Sequence, residues 1–231
     1  MLLGKRVHHG WLVLFRFGPR VRLEEFRTIG LLYMNSSTYF RELEQRSPII
    51  DRVRADRFEG SDWIFHPEQH SIRFNWPNIE FTVPSSDIAA HTSIELSAKI
   101  CNVYCMYAMT EPEPIDEQNF EFGDSFVIVL NTLEFLRRFI SAAKTSGLYY
   151  QYGLVEYYHL DKYSGETGPL RKPFHFAYQK EFRLVLRPGA SVRRLLIGNL
   201  EDITSEVLPL QEINKRFDSS PEAARKAGLS W

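Results

Sequence analysis

The sequence predicts an α+β fold with a split pair of mostly antiparallel sheets and with helices early in the chain that lie on one side of them. Helical spacing is concentrated in the first third, and apolar strand-like runs crowd the later part. Regular alternation of strand and helix would instead indicate βαβ units. Polar side chains also recur at the ends or on the faces of otherwise apolar strands, a pattern typical of a cleft between two sheets.

The composition predicts one folded domain over residues 1–231, with an irregular inserted middle at about 60–120. A content of 44% hydrophobic and 14% aromatic residues is enough for a substantial core and excludes general disorder. Net charge is −1, but residues 1–60 carry 11 Lys/Arg against 7 Asp/Glu. This basic first part could meet phosphate groups, or its arginines could simply solvate the surface.

The start of the chain and its two cysteines both indicate a cytoplasmic protein. Lys5, Arg6 and two histidines interrupt the first apolar run, so it does not fit a signal peptide. No uninterrupted apolar stretch reaches the roughly 18 residues of a membrane span. Cys101 and Cys105 are too few for a disulfide framework and are expected to be buried thiols in a reducing compartment.

The first elements are read from apolar spacing and from glycine stops. Residues 11–18 are a short apolar run and predict a buried strand, and 21–30 have helical spacing that ends at Gly30. Residues 31–37 predict a second strand. Residues 38–47 predict a short helix capped by Ser37 or Thr38.

The middle of the chain predicts short strands at 62–66, 71–76 and 79–83, because aromatic and β-branched runs there are broken by prolines. Residues 94–109 predict either one strand or a pair. The segment 111–119, acidic and rich in proline, predicts a loop.

The last third contains the strongest helix signal. Residues 131–147 begin with Asn131 as N-cap and Glu134 three positions later, and they stop at Gly147. The neighbouring runs predict four strands and a C-terminal helix: strands at 125–130, 154–160, 175–188 and 192–199, and a helix at 220–231.

The predicted strand 175–188, "HFAYQKEFRLVLRP", has one polar face that needs an explanation. Alternation places Gln179, Glu181 and Arg183 on one side, opposite a mostly apolar side. The polar face is either solvated or part of a site. We expect Arg183 to be a structural ion-pair partner.

Several familiar sites are not supported by the sequence. His66 and His70 flank Glu68, but Pro67 disfavours a helix through both, and no third metal ligand is close. The chain has no phosphate-binding glycine loop and no GxSxG nucleophile motif. Cys101 in an apolar strand is expected to be inert.

Three features in chain order carry a family resemblance: Arg16 ends the first strand, Ser36–Thr38 end the second, and Gln179-x-Glu181 lies late. This order resembles the R-S-E class of mono-ADP-ribosyltransferases, which have the fold of ADP-ribosylating toxins. Residues 11–45 and 125–205 also resemble a bacterial domain family associated with phage-defence and toxin–antitoxin loci. The "Ser-Ser-Thr" departs from Ser-Thr-Ser and leaves open which hydroxyl acts.

The resemblance implies an ADP-ribosyltransferase-like fold and an enzyme that uses NAD as its cofactor. Glu181 would be the catalytic carboxylate that stabilises an oxocarbenium-like transition state, with Gln179 hydrogen-bonding the acceptor or the nicotinamide ribose. Cofactor contacts would come from the first strand and from the turn and helix after the second. These residues are Arg16, Gly18, Ser36, Ser37, Thr38, Tyr39, Phe40 and Arg41.

Among those contacts, Arg16 and Arg41 would bind phosphates, and Tyr39 or Phe40 would stack on nicotinamide. The partners implied are an acceptor macromolecule, either RNA, DNA or protein, and a cognate antitoxin. A second hypothesis is a non-catalytic RNA- or protein-binding module that uses the basic first part of the chain. A metal-dependent nuclease ranks last, because the sequence offers no cluster of carboxylates.

Overall fold

The computed structural model describes residues 12–46, 54, 56, 58–65, 72–76, 79–84, 92–94, 100–189 and 191–214. The helices are α1 (Arg20–Ile29), α2 (Ser37–Arg46) and α3 (Thr132–Thr145), and 3₁₀ helices cover Glu117–Phe122, Phe174–Gln179 and Leu210–Glu212. The first strands are β1 (Val13–Gly18), β2 (Leu31–Ser36), β3 (Trp63–Phe65), β4 (Ile72–Trp76), β5 (Ile79–Val83), β6 (Thr92–Ile94), β7 (Asn102–Met109) and β8 (Ser125–Val129). The later strands are β9 (Tyr149–Leu154), β10 (Glu156–Tyr158), β11 (Gly165–Glu166), β12 (Arg171–Pro173), β13 (Glu181–Arg187), β14 (Val192–Leu196) and β15 (Leu208–Pro209).

The largest sheet has eight strands and is antiparallel throughout. Its main path runs β14-β2-β7-β1-β8-β15, and β13 pairs with both β7 and β9. The short pair β10–β12 is parallel. The expected α+β class with a mostly antiparallel sheet is therefore confirmed.

The sheet splits along β7. Strand β13 pairs with β7 over Asn102–Tyr107 and occupies one of its edges. The other edge is shared, because β2 pairs with it only at Asn102 and Val103 and β1 pairs with it from Tyr107 onward. Between these two pairings the edge of β7 faces a gap between β1 and β2.

Large apolar clusters pack against both faces of the sheet at β1. One lies under α1 and α3 and includes Leu23, Phe26, Phe135 and Phe139, each at most 1% exposed. The other lies around Phe15 and Phe17 on the opposite face of β1. Alternation along β1 thus places Arg16 on the face of the first cluster.

The predicted end of α1 and the predicted start of α3 agree with the structure, and the predicted cap of α2 does not. Gly30 follows α1 with φ +64°, and a Cβ there would lie 2.0 Å from the carbonyl oxygen of Gly198. The Asn131 side chain accepts a hydrogen bond from the Glu134 amide at the start of α3. Helix α2 begins at Ser37, so Ser36 occupies the N-cap position. The prediction that Ser37 or Thr38 caps this helix is wrong.

The predicted strand 175–188 is wrong in its first half. Residues Phe174–Gln179 form a 3₁₀ helix, Lys180 is left-handed with φ +39°, and β13 starts at Glu181. Gln179 and Glu181 therefore do not share a strand face. The alternation of polar and apolar side chains cannot distinguish this tight turn from a strand over so few residues.

Two other predicted runs are each divided. Residues 94–109 hold the end of β6 and the separate strand β7, and 154–160 hold the end of β9 and β10. The predicted helix at 220–231 and the His66–His70 stretch lie outside the described residues. Within the described part of the chain, no helix is long and apolar enough to cross a membrane.

Candidate functional site

A cavity of about 310 Å³ lies at the gap between β1 and β2. Six of the ten site residues proposed from the sequence line it. They are Arg16, Gly18, Tyr39, Phe40, Gln179 and Glu181. Residues that are far apart in the sequence thus meet at the point where the central sheet splits.

The hydroxyl-rich turn does not line this cavity. The Ser36 hydroxyl accepts a hydrogen bond from the Tyr39 amide at 3.2 Å and lies 2.7 Å from the Thr38 hydroxyl, as expected of a helix N-cap. Ser37 is fully buried, and its hydroxyl accepts a bond from the Cys101 amide. Arg41, on α2, is not among the lining residues either.

Arg16 fills the gap in the sheet. Its Nη1 donates a 2.9 Å hydrogen bond to the carbonyl oxygen of Cys105, in the part of β7 that pairs with neither β1 nor β2. The guanidinium also lies 4.6 Å from the ring centroid of Tyr104. A buried carbonyl at an unpaired edge needs such a donor, so Arg16 has a structural contact as well as a place in the cavity wall.

Lys172 joins Gln179 to Glu181 at the base of the cavity. Its ammonium group donates to Gln179 Oε1 at 2.7 Å and to Glu181 Oε1 at 2.8 Å, and it lies 4.2 Å from the Phe176 ring centroid. All four residues are buried, and Lys172 is only 3% exposed. The αL turn at Lys180 brings Gln179 and Glu181 to the same cation although they are not on one strand face.

Arg183 holds the other oxygen of Glu181. Its Nε donates to Glu181 Oε2 at 2.5 Å, and its Nη atoms bind both oxygens of Glu59 at 2.9 and 2.8 Å. The carbonyl oxygen of Pro169 accepts a further bond. The expected ion-pair role of Arg183 is confirmed. Together with Asp56, these groups form the buried charge cluster (Asp56, Glu59, Lys172, Glu181 and Arg183).

Glu59 reaches the cluster through a close contact of its own segment with α2. Gly60 has φ +72°, and a Cβ there would lie 2.4 Å from the Ser37 Cβ. Only glycine fits this conformation at this distance without strain. Sequence reasoning missed Asp56, Glu59 and Lys172. Glu59 lies at the border of the middle segment, about 60–120, that the sequence predicts to be irregular, and Lys172 lies in residues 165–173, whose glycines and prolines predict a loop.

The buried charge cluster keeps Glu181 ionised. Burial by itself would raise the pKa of Glu181, but the charges and hydrogen bonds of Arg183 and Lys172 outweigh it and hold that pKa well below the usual range. A carboxylate in this state cannot serve as a general acid at neutral pH. It can stabilise a cation or accept a hydrogen bond from a hydroxyl group.

The cluster contains three carboxylates and two cations. Burial raises the pKa of Asp56 and of Glu59, which Lys172 and Arg183 only partly oppose. An excess buried negative charge is costly, so we expect the Asp56–Glu59 side of the cluster to take up a proton more readily than free carboxylates do.

Neither the two cysteine thiols nor a metal site adds a reactive group near the cavity, as far as the described residues show. Burial, with the nearby carboxylates, raises the pKa of Cys101 to about 11 and that of Cys105 to about 12. The two cysteines form no disulfide bond with each other, and both thiols are protonated at neutral pH. Protonated thiols are poor nucleophiles. Among the residues that the structure describes, no group of three His, Cys, Asp or Glu side chains is placed to hold a metal ion.

The cavity wall is rich in aromatic rings. Tyr39 and Phe40 meet edge to face with centroids 5.3 Å apart, and Tyr39 is 37% exposed. Tyr33 also lines the cavity and lies within 5.6 Å of Arg22 and 5.8 Å of Arg194. Rings and guanidinium groups of this kind can bind a planar or anionic ligand.

Comparison of the chain with protein-family models, curated proteins and solved structures found no match.

Proposed function

We propose that the protein is a mono-ADP-ribosyltransferase that binds NAD in the cavity between β1 and β2 and transfers ADP-ribose to a macromolecular acceptor. The observation that carries this proposal is the meeting of Arg16, Tyr39, Gln179 and Glu181 in one cavity. The resemblance to the R-S-E class predicted that Arg16, Ser36–Thr38, Gln179 and Glu181 converge on one cleft; Arg16, Gln179 and Glu181 line this cavity, and Ser36–Thr38 do not.

The chemistry of ADP-ribose transfer fits the state of Glu181. Breaking the bond between ribose and nicotinamide develops positive charge at the ribose, which a fixed and ionised carboxylate stabilises. Glu181 is held by two cations and lines the cavity. Arg16 offers a guanidinium for the diphosphate, and Tyr39 offers a ring for nicotinamide.

The split antiparallel sheet supports the proposed ADP-ribosyltransferase-like fold, because a split pair of mostly antiparallel sheets is what the resemblance implies. As part of the proposal, the acceptor is RNA, DNA or protein, and the biological role is that of a defence or toxin–antitoxin enzyme with a cognate antitoxin. The charges of the first 60 residues support an anionic acceptor or cofactor.

A non-catalytic binding module is the second candidate, and one observation favours it. Arg16 already donates to a backbone carbonyl, and Glu181 already receives bonds on both oxygens. In that case the cluster would serve stability alone. The module would bind RNA or protein with a strong dependence on salt, and changes at Glu181 would not alter binding.

Incubation of the protein with labelled NAD and cell lysate tests the enzyme proposal. We expect transfer of label or release of nicotinamide, and we expect Glu181→Gln to lower kcat/KM by roughly 100- to 1000-fold, as for loss of one electrostatic contact to a transition state. The matched control is Glu206→Gln, since Glu206 is exposed and does not line the cavity.

Folding of each variant is checked by circular dichroism. Absence of NAD turnover by the wild-type protein, or equal activity in Glu181→Gln and Glu206→Gln, would overturn the proposal. Salt-sensitive RNA binding without turnover would favour the second candidate.

A further inference from the structure

Strand β14 lies at one end of the eight-stranded sheet, and its outer edge is unpaired. Within the described part of the chain it pairs only with β2, in antiparallel orientation. The Ser36 amide donates to the Ser191 carbonyl at 3.2 Å, and the Ile197 amide donates to the Gly30 carbonyl at 3.1 Å. Every second residue of β14 therefore bonds to β2, and the residues between them direct their N–H and C=O groups away from the sheet. These are Val192, Arg194 and Leu196.

The same three residues expose their side chains on one face of the strand. Val192 is 42% exposed, Leu196 is 60% exposed, and Arg194 lies between them and is exposed as well. The Arg194 guanidinium lies 5.8 Å from the ring centroid of Tyr33. Among the residues that the structure describes, no carboxylate forms an ion pair with Arg194. The edge thus presents an apolar, a cationic and an apolar side chain in alternation.

An open edge of this kind is a template for a strand of another chain. The added strand bonds to the outward N–H and C=O groups, and its alternate side chains decide which segment fits. Opposite charges on directly facing residues stabilise two paired strands, and like charges destabilise them. The fitting segment therefore has an acidic residue with an apolar residue two positions away on each side. This pattern is the same in both chain directions.

We propose that the outer edge of β14 binds an extended segment of a partner protein as an added strand, with a carboxylate opposite Arg194 and apolar side chains opposite Val192 and Leu196. The bound segment extends the eight-stranded sheet by one strand. This inference goes beyond the proposed transferase activity and does not depend on NAD, because the backbone groups that it uses are those of β14 and not those of the cavity.

Two other occupants match the edge less well. Two copies of the chain that pair along the whole edge would place Arg194 opposite the same residue of the second copy, and like charges in facing positions repel. Nucleic acid phosphates bind cations and N–H groups. The outward carbonyl oxygens and the exposed side chains of Val192 and Leu196 offer them neither.

The first experiment adds a capped peptide to ¹⁵N-labelled protein. The probe is Thr-Val-Thr-Glu-Thr-Val-Thr, and its matched control has Lys in place of Glu. We expect the Glu peptide to shift the amide signals of Val192, Arg194 and Leu196 and to slow their hydrogen exchange, because these N–H groups gain acceptors. The other outer strand, β9, has no charged residue and is an internal control. Absent shifts, equal shifts with both peptides, or equal shifts at β9 and β14 would overturn the proposal.

The second experiment exchanges the charges. Arg194→Glu is compared with Lys162→Glu, which makes the same change in net charge at an exposed lysine in the turn after β10. We expect Arg194→Glu to raise the dissociation constant of the Glu peptide by roughly 5- to 10-fold and to make the Lys peptide the tighter ligand. Lys162→Glu should leave the preference for the Glu peptide unchanged. Equal weakening in the two variants would show a general attraction of charges and would overturn the proposal.

The other occupants are tested with the same amide signals. We expect them to stay in place when a single-stranded thymidine oligonucleotide is added or when the protein alone is concentrated. Shifts with the oligonucleotide would assign the edge to nucleic acid, and shifts with concentration would assign it to a second copy; either result would overturn the proposal. Peptide binding without NAD turnover leaves this inference standing while the transferase proposal falls, and turnover without peptide binding does the opposite.

Discussion

Arg183 shows what a buried charge requires of its neighbours. The side chain is 1% exposed, and its guanidinium donates to Glu181, to both oxygens of Glu59 and to the Pro169 carbonyl. An unpaired guanidinium in this position would be strongly unfavourable. The sequence placed Arg183 in an ion pair because a charged residue in an apolar strand needs one. It could not identify Glu59, which is 124 positions away.

Removal of Glu59 should therefore be costly. We expect Glu59→Ala to lower the free energy of unfolding by about 3 to 5 kcal/mol, because it leaves part of a buried guanidinium without a partner. Glu25→Ala, which removes one member of the exposed pair with Arg22, should cost less than about 1 kcal/mol. Urea unfolding followed by circular dichroism measures both. Equal losses in the two variants would contradict a stabilising role for the buried charge cluster.

Helix α3 and the 3₁₀ helix Phe174–Gln179 show which elements can be read from the chain. The start of α3 is coded locally by Asn131, whose side chain binds the amide three residues later, and by the apolar stripe that follows. The 3₁₀ helix has no such local code. Its end is set by the left-handed Lys180 and by Gln179 reaching Lys172, and both depend on the neighbouring strands.

The cap of α3 gives a direct measurement of this local code. We expect Asn131→Ala to reduce the free energy of unfolding by about 1 kcal/mol through loss of the bond to the Glu134 amide. Asn131→Asp keeps an acceptor in the same place and should lose much less. Thermal or urea unfolding of the three proteins decides the matter. A loss in Asn131→Asp as large as that in Asn131→Ala would show that the cap bond is not the cause.

The complete molecule brings the site together by splitting its central sheet. Strand β7 binds β13 along one edge and divides the other between β2 and β1, which leaves room for the cavity. The buried charge cluster then lies at the base of that cavity on groups from three separate segments. Its ionisation affects the stability of the entire fold, because the same groups join β12, β13 and the segment before β3.

The free energy of unfolding should therefore depend on pH through two groups of carboxyls that act in opposite directions. The raised pKa values of Asp56 and Glu59 favour the folded state as pH falls toward their unfolded values near 4, since folding then takes up protons. The lowered pKa of Glu181, and that of Glu134 at about 2, contribute stability that is present above about 4.5 and is lost as pH falls below it.

Urea unfolding at pH values from about 8 to about 2 measures this dependence, because the carboxyl groups titrate within that range. We expect the highest free energy of unfolding in the mildly acidic range and a steep decrease below about pH 4. In Glu59→Gln the rise between neutral and mildly acidic pH should become smaller. Stability that falls continuously from neutral pH downward would contradict the proton uptake assigned to Asp56 and Glu59.

The sequence by itself determined the α+β class, the strands β1, β2 and β8, the helices α1 and α3 with their ends, and the set of polar residues from which the site was proposed. These features are local, since they depend on side-chain alternation, helical spacing and capping within a few residues. Only the tertiary structure decided that Arg16 closes a gap in the sheet and that Lys172 and Glu59 complete the surroundings of Glu181. Those assignments depend on which buried charges meet across long separations. The need of each buried charge for a partner is visible in the sequence, but the identity of the partner is set by the packing of the sheet.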